Sequence, residues 1–280
     1  MKQLYLVFMA VLLITNNVIA ADIAADIRNA AAGPDVSNGG YFEVGLGFQY
    51  VERSFVSAED DGVYGTLDVA GAYRYNRLFV ELSQGTLDGL NLGYHLWSNN
   101  NWSVDLLGAS INGIFNVGND DDISALSEAQ RNEAILDRDA FYNGAGFRAT
   151  AYFGNNILQY RLVTDIHDNN GVVSTLRLGR SWQLRNWNLH GVVSADYASA
   201  KTSQYLYSVT QNEATARFPE YDVGSTMSYI AEVGLTYPIS EHFVFRSTAR
   251  YTQLSNGEQN SPLTDSGDRT YIGTSIHYVF

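Results

Sequence analysis

The 280-residue chain contains no cysteine, so disulfide bonds cannot hold it together. Exported proteins often rely on disulfides. A chain exported without them needs another source of stability, such as a closed and hydrogen-bonded sheet. Long apolar runs are also missing beyond residue 20, where no stretch approaches the ~20 residues of a membrane-spanning helix. Hydrophobic residues are instead dispersed by alternation with polar ones.

Basic residues are in the minority, with 17 Lys and Arg against 30 Asp and Glu and a formal net charge of −13. Nucleic-acid phosphates bind proteins mainly through Lys and Arg. The composition therefore predicts no nucleic-acid partner. Tyrosine is abundant, at 19 residues, which suits a protein with many side chains at a membrane interface.

The N-terminus has the features of an export signal. Lys2 precedes an apolar run from residue 4 to residue 14, which is too short to span a bilayer, and Val18 and Ala20 are small residues before a cleavage site. We predict a signal peptide over residues 1–20, with a retained anchor helix as the alternative. No cysteine lies near the cut, which excludes a lipoprotein anchor.

Residues 21–40 include Gly33, Pro34, Gly39 and Gly40, and we interpret them as a flexible periplasmic N-terminal segment. Residues 41–280 then form one domain.

The last eleven residues alternate in polarity. One face carries Ile272, Thr274, Ile276, Tyr278 and Phe280, and the other carries Tyr271, Gly273, Ser275, His277 and Val279. An apolar face that ends on an aromatic residue is typical of the strand that closes a transmembrane β-barrel, with lipid outside and a polar lumen inside.

Similar segments recur along the chain, separated by turn-rich stretches. We predict strands at 41–51, 66–75, 78–84, 87–97, 102–115, 140–153, 157–168, 171–184, 187–199, 228–239, 242–255 and 269–280. The fold class is therefore all-β: a membrane-spanning antiparallel up-and-down barrel of about twelve strands. Short connections alternate with long ones, which predicts short periplasmic turns and long extracellular loops.

Aromatic residues cluster at the end that we assign as periplasmic, where they predict an interface girdle. The set comprises Tyr75, Trp97, Trp102, Phe153, Trp182, Trp187, Tyr237, Phe243 and Phe280. Two residues break the alternation. Strict parity points Trp97 into the lumen, and Arg180 shares its parity with the outward Leu176 and Leu178, which requires a position near an interface or a bulge.

Charged residues fall on the face that parity turns inward, because an arginine facing lipid at mid-depth costs ~2–4 kcal/mol. The candidate lumen-facing residues are Glu43, Arg74, Glu81, Asp105, Arg148, Arg161, Asp165, Arg177, Asp196, Glu232, Arg246 and Arg250. Two interpretations stay open. Ion pairs could fill and plug the barrel, or the lumen could form a narrow pore or binding cavity whose arginines favour small anionic solutes.

Catalysis is the weaker hypothesis. Ser275 and His277 share one inward face, as do His190, Ser194 and Asp196, and Asp165 lies near His167 at the extracellular rim. In each group, polar filling of the lumen explains the residues without a reaction.

No spacing of residues predicts a cofactor or metal site. The acidic run at 119–122 is interpreted as a solvated loop tip, with cation bridging to lipopolysaccharide phosphates as the alternative. Residues 124–138 of the same loop predict a short helix.

Several motifs resemble those of the MipA/OmpV family of outer-membrane proteins. They are Arg74 to Phe79, Leu92 to Tyr94, Tyr207 to Thr210, Ala214 to Phe218, the Pro-x-Tyr-x-x-Gly loop at 219–224, Leu235 to Tyr237, Ser261 to Leu263 and Tyr278 to Phe280. The resemblance covers about residues 41–280. It departs in the first loop, because residues 51–64 lack the family's Pro-x-Tyr-x-Gly-Ser pattern.

This resemblance implies a non-enzymatic barrel of the bacterial outer membrane, in contact with lipid and lipopolysaccharide. The member that names the family is described as a scaffold that links a lytic transglycosylase to a murein synthase. Other members are linked to stress responses and to adhesion. The resemblance thus implies a scaffolding role with periplasmic murein-active enzymes as partners, and no cofactor.

Overall fold

The computed structural model describes residues 27, 30–56, 61–83, 89–110, 126–136, 143–166 and 171–280. These residues form a single closed antiparallel barrel of twelve strands. The strands are β1 (Gly39–Val51), β2 (Gly62–Tyr75), β3 (Leu78–Ser83), β4 (Gly89–Ser98), β5 (Trp102–Ser110), β6 (Asn143–Phe153), β7 (Asn156–Asp165), β8 (Val172–Leu184), β9 (Trp187–Ala198), β10 (Thr226–Pro238), β11 (Phe243–Gln253) and β12 (Asp268–Val279).

Each strand pairs with its neighbour in sequence, and β12 pairs with β1 to close the ring. The predicted number of strands and the up-and-down topology are confirmed. One difference lies in β2, which begins at Gly62 and not at residue 66, because it pairs with the whole length of β1 as far as Val51. The predicted end of β5, at residue 115, lies outside the described residues. Within the described residues, no helix is long and apolar enough to cross a bilayer.

The strands present alternate residues to the outside and to the lumen. In β1, Leu46 and Phe48 are 70 % and 63 % exposed, whereas Glu43 on the opposite face is fully buried. Since the outer face of the barrel contacts lipid, these exposed apolar side chains form its hydrophobic belt. Trp102, Trp182 and Trp187 point outward at the periplasmic end, as the predicted girdle requires.

The two exceptions to parity have separate causes. The pairing of β4 with β5 shifts between His95 and Trp97, so a β-bulge turns both Leu96 and Trp97 to the outside. The expectation that Trp97 points into the lumen is therefore wrong. Arg180 does face outward near the periplasmic end of β8, where its guanidinium lies 5.7 Å from the ring centre of Trp182 and donates to Asn156.

The described part of the N-terminal segment lies against the barrel. Ile27 and Ala30 are buried among Tyr152, Ile157 and Val192, which face the lumen, and Ala30–Ala32 forms a short 3-10 helix. We predicted a flexible periplasmic segment over residues 21–40, and the structure adds that this part of it contacts the inner wall of the barrel. The flexibility of the segment and the cleavage after Ala20 stay predictions.

The long connections build a cap over the extracellular end of the barrel. Its helices are α1 (Glu128–Leu136), α2 (Ala200–Tyr207) and α3 (Asn256–Gln259). The first lies inside the range predicted to be helical, and it confirms that prediction. The acidic run at 119–122 lies outside the described residues.

The exposed belt leads to a depth-dependent prediction. Leu46 lies in the middle of β1 beside Leu67 and Ile276, whereas Val63 lies near the extracellular end of β2 and is equally exposed. Leu46→Arg should therefore destabilise the barrel by ~2–4 kcal/mol and Val63→Arg by only about 0–1 kcal/mol. Urea unfolding of the chain folded into lipid bilayers measures both, and equal losses would contradict the assigned membrane depth.

Candidate functional site

The twelve charged residues that parity turned inward are all buried or half-buried. Glu43, Asp105, Arg148, Arg161, Asp165, Arg177 and Glu232 are buried, and Arg74, Glu81, Asp196, Arg246 and Arg250 are half-buried. A buried charge needs a partner of opposite sign or several hydrogen bonds. Most of these residues meet that need in two clusters inside the lumen, which we call the Arg148 cluster and the Glu43–Glu232 cluster.

The Arg148 cluster joins four strands, β3 to β6. The Arg148 guanidinium donates to both carboxylate oxygens of Glu81, with Nη1–Oε2 and Nη2–Oε1 distances of 2.9 and 3.0 Å. Its Nε and Nη2 also donate to Oδ2 of Asp105, at 3.2 and 3.1 Å. The other oxygen of Asp105 lies 2.8 Å from Nδ1 of His95, whose Nε2 is 3.1 Å from the Ser98 hydroxyl. One arginine thus bridges two carboxylates, each within hydrogen-bonding distance.

Amide side chains extend this cluster across the lumen. Asn91 donates to Glu81 at 3.4 Å and accepts from Nη2 of Arg161 at 2.9 Å. Arg177 donates to Gln159 at 3.4 Å. Arg148 and Glu81 belong to β6 and β3, and Arg161 and Asn91 to β7 and β4, so each pair joins strands three apart in the ring. These contacts therefore cut across the lumen and do not merely follow the wall.

The Glu43–Glu232 cluster lies on the opposite side of the barrel. Arg246 of β11 pairs with Glu43 of β1, and Nε of Arg250 donates to Oε2 of Glu232 at 2.7 Å. His190 Nε2 lies 3.5 Å from the other Glu232 oxygen. Both carboxylates are almost inaccessible to solvent, so their charge depends on these arginines.

Ser275 and His277 come together as the sequence predicted, with Oγ 2.7 Å from Nε2. His277 Nδ1 is 3.8 Å from Glu43, which is longer than a hydrogen bond. The order serine, imidazole, carboxylate is that of a hydrolytic triad. Here, however, the carboxylate already pairs with Arg246, and Ser275 and His277 are buried in the lumen. Polar packing accounts for the arrangement.

The other catalytic candidates do not assemble. Ser194 donates to Asp196, but His190 contacts Glu232 instead. Asp165 is buried, and its neighbour His167 lies outside the described residues. Within the described part of the chain, no group of three or more His, Asp or Glu residues is placed to hold a metal ion.

Phe79 brings an aromatic ring into the charged lumen. It is 6 % exposed, and the guanidinium carbons of Arg74 and Arg148 lie 4.9 and 5.3 Å from its ring centre. The ring occupies the space above Gly93, where an added Cβ would approach its Cζ to 1.9 Å. Cation–π contact therefore places Arg74 as well as Arg148 in this part of the lumen.

The extracellular cap has its own small hydrophobic core. Ile135, Val209, Phe218 and Leu263 are buried together, and they come from the β5–β6, β9–β10 and β11–β12 connections. The β5–β6 and β11–β12 hairpins stand opposite each other in the ring of twelve. Because Ile135 and Leu263 come from these two opposite hairpins and are buried in the same core, the loops meet over the mouth of the barrel.

Hydrogen bonds tie the cap to the strands below it. Glu258 is buried, accepts from the Ser255 amide at 2.8 Å in a capping box, and accepts from the hydroxyls of Thr226 and Ser228 at the top of β10. Ser261 donates to the carbonyl of Tyr207 at 2.6 Å, and the Tyr221 hydroxyl donates to that of Gly257 at 2.8 Å. The cap is therefore joined to the barrel and is not a loose set of loops.

Sequence reasoning missed several members of these groups. Asn91 and Thr150 are among the most deeply buried polar residues, and their inward parity was the available signal. No sequence pattern indicated that Glu258 is buried, because it lies in a loop without periodicity and its partners are distant in sequence.

With this geometry established, comparison with known proteins assigns the family. The family described as "MltA-interacting protein MipA" matches residues 44–280, which is most of the chain. The chain belongs to this family. The resemblance inferred from the loop motifs is confirmed.

Relatives of this MipA-family chain are outer-membrane proteins. It is 24 % identical over 224 residues to the outer membrane protein Omp26La of Vibrio anguillarum, covering 75 % of this chain and 84 % of the relative. It is 25 % identical over 195 residues to the outer membrane protein OmpV of Vibrio cholerae serotype O1, covering 69 % and 72 %. The chain is thus an outer-membrane barrel, as predicted.

A solved structure similar to this MipA-family barrel is the NanC porin. The likeness has 7 % sequence identity and a TM-score of 0.44, and it covers 84 % of this chain and 98 % of the porin.

The Arg148 cluster makes a quantitative prediction. Arg148→Met would leave Glu81 and Asp105 without their shared counter-charge and should cost roughly 3–5 kcal/mol of unfolding free energy. Arg180→Met is the matched control, because this exposed arginine has no carboxylate partner among its described contacts, and it should change stability by about 0.5 kcal/mol or less. Urea unfolding in bilayers compares the two. Equal effects would contradict a structural role for the cluster.

The cap makes a prediction about alkaline pH. Burial, reinforced by the nearby Glu258, raises the pKa of Tyr207 well above its usual value. Folding therefore favours the protonated phenol, and this contribution is complete below the unfolded pKa of about 10 and is lost as the pH rises toward the folded pKa. The urea concentration at which the cap unfolds, followed by the near-UV signal of the Phe55–Tyr207 stack, should therefore fall above pH ~10. Tyr207→Phe should weaken that pH dependence, and an unchanged slope would contradict it.

Proposed function

We propose that this protein is a closed, non-enzymatic barrel that serves as a scaffold in the cell envelope. In this role it links murein-synthesising and murein-hydrolysing enzymes on the periplasmic side of the outer membrane. The observation that carries the proposal is that the charged side chains of the lumen pair with one another. They contact one another across the barrel, which favours a structural lumen over a conduit.

The Arg148 cluster supports a structural lumen most directly. Arg148 is buried between Glu81 and Asp105, so its positive charge is already neutralised. A solute anion would have to compete with two carboxylates for the same guanidinium, at the cost of leaving both carboxylates without their shared counter-charge. The cap adds a second argument, because its loops meet over the extracellular mouth.

The family supports the choice of partners. The description of the MipA family names an interaction with MltA, and we infer a similar class of partner for this chain, a lytic murein enzyme together with a murein synthase. Such partners would bind the five short periplasmic turns, which are the connections β2–β3, β4–β5, β6–β7, β8–β9 and β10–β11. The charged residues in these turns, apart from His242, are Arg77, Arg185 and Glu241, so the acidic excess of the chain lies elsewhere.

A binding experiment tests the scaffold directly. The folded barrel, immobilised in detergent, should retain a periplasmic lytic transglycosylase and a murein synthase in one complex. Reversing the two positive turn charges, with Arg77→Glu and Arg185→Glu, should weaken capture at low ionic strength, where surface charges are least screened. Arg217→Glu, an exposed arginine on the extracellular cap, is the matched control and should leave capture unchanged.

A conductance experiment tests the closed lumen. Single-channel recording of the folded chain in a planar bilayer should show no steps, with the heat-modifiable gel shift confirming that the barrel is folded. Steady steps whose ion preference changes in Arg161→Ala or Arg250→Ala would instead support the solute channel. If the barrel is folded and shows no conductance but binds neither enzyme, the scaffold role is overturned and the closed lumen stands.

A further inference from the structure

We propose that the N-terminal segment is a strap that closes the periplasmic mouth of the barrel, with Ile27 as its anchor. This strap consists of Ile27 and residues 30–38 among the described residues. It runs from the start of β1 across the mouth to the opposite wall.

The anchor is an apolar side chain inside the lumen. Ile27 is fully buried, and it packs with Ala30 against Tyr152 of β6, Ile157 of β7 and Val192 of β9. An added Cβ at Gly179 of β8 would lie 2.3 Å from Cδ1 of Ile27, so the wall is in direct contact with the anchor at that point. A methyl-sized group at position 179 would displace Ile27.

The strap crosses the opening because its two ends lie on opposite sides. Its C-terminal end continues into β1, whereas Ile27 is buried in one cluster with residues of β6, β7 and β9 and lies against Gly179 of β8. In a closed ring of twelve strands, β7 stands six positions from β1. A segment that begins at one of these strands and is buried against the other must pass over the lumen.

Two further contacts hold the strap on its way across. Gly33 has a φ of 78°, and its amide donates to the Ala30 carbonyl at 3.1 Å, which turns the chain there. A Cβ at position 33 would approach the Asn100 carbonyl oxygen to 2.7 Å, so the strap passes close to the β4–β5 turn. Asn38 then accepts a hydrogen bond from the Asn76 amide in the β2–β3 turn, at 2.6 Å.

The strap also encloses part of the charged lumen. A cavity of about 70 Å³ lies between its residues Pro34 and Asp35 and the side chains of Arg74, Glu81 and Arg148. The Arg148 cluster is thus covered by protein on its periplasmic side. Displacing the strap would expose this cavity and the wall near Val192 to the periplasm.

The absence of cysteine makes the test specific, because an introduced thiol is the only one in the chain. Val192 is 2 % exposed and lies under the anchor. In the Val192→Cys protein, a water-soluble maleimide should react slowly. Adding Ile27→Asp, which puts a charge where the lumen is apolar, should release the strap and raise the labelling rate about tenfold or more. Adding Val36→Asp instead, at a position 43 % exposed, should change the rate by about twofold or less.

A rate that stays unchanged in a folded Ile27→Asp protein, with its heat-modifiable shift intact, would overturn the strap. A second comparison avoids any disruptive change. Ile27→Cys should label at least about tenfold more slowly than Val36→Cys in the otherwise unaltered chain. Equal rates for these two thiols would overturn the proposal even if the aspartate variant failed to fold.

Discussion

Closure of the sheet is the constraint on which the rest of this structure depends. A bilayer offers no water to unpaired backbone groups, so a sheet can cross it only when its first and last strands pair. Here β12 pairs with β1 over nine residue pairs, and the amide of the last residue, Phe280, donates to the Phe42 carbonyl at 3.0 Å. Once the ring is closed, each residue of a strand faces either lipid or lumen.

The lumen then sets a second problem, because closure places charged side chains in an enclosed space. Arg148 neutralises the carboxylates of Glu81 and Asp105 on two other strands. Arg246 and Arg250 neutralise those of Glu43 and Glu232. Two of these pairs, Arg148–Glu81 and Arg246–Glu43, join strands that are not neighbours. They therefore add cross-bracing to a sheet whose hydrogen bonds act only between adjacent strands.

Protein also covers both ends of the lumen. At the extracellular end, loops from opposite hairpins share the small core around Ile135 and Phe218. At the periplasmic end, Ile27 is buried against four strands on the far wall. A barrel of this kind therefore presents short turns to the periplasm and a folded cap to the cell exterior.

The sequence by itself determined the twelve strands, their facing and the family, because polarity alternates with the two-residue period of a strand and lipid penalises any error in that alternation. It could not reveal the bulge at His95–Trp97, which depends on how β4 pairs with β5. Nor could it assign partners within the lumen, since Arg148 and Glu81 are 67 residues apart and meet only when the ring closes. The burial of Ile27 and the cap around Glu258 likewise depend on tertiary structure. Both lie outside the strands, where periodicity carries no information and contacts between distant segments decide the conformation.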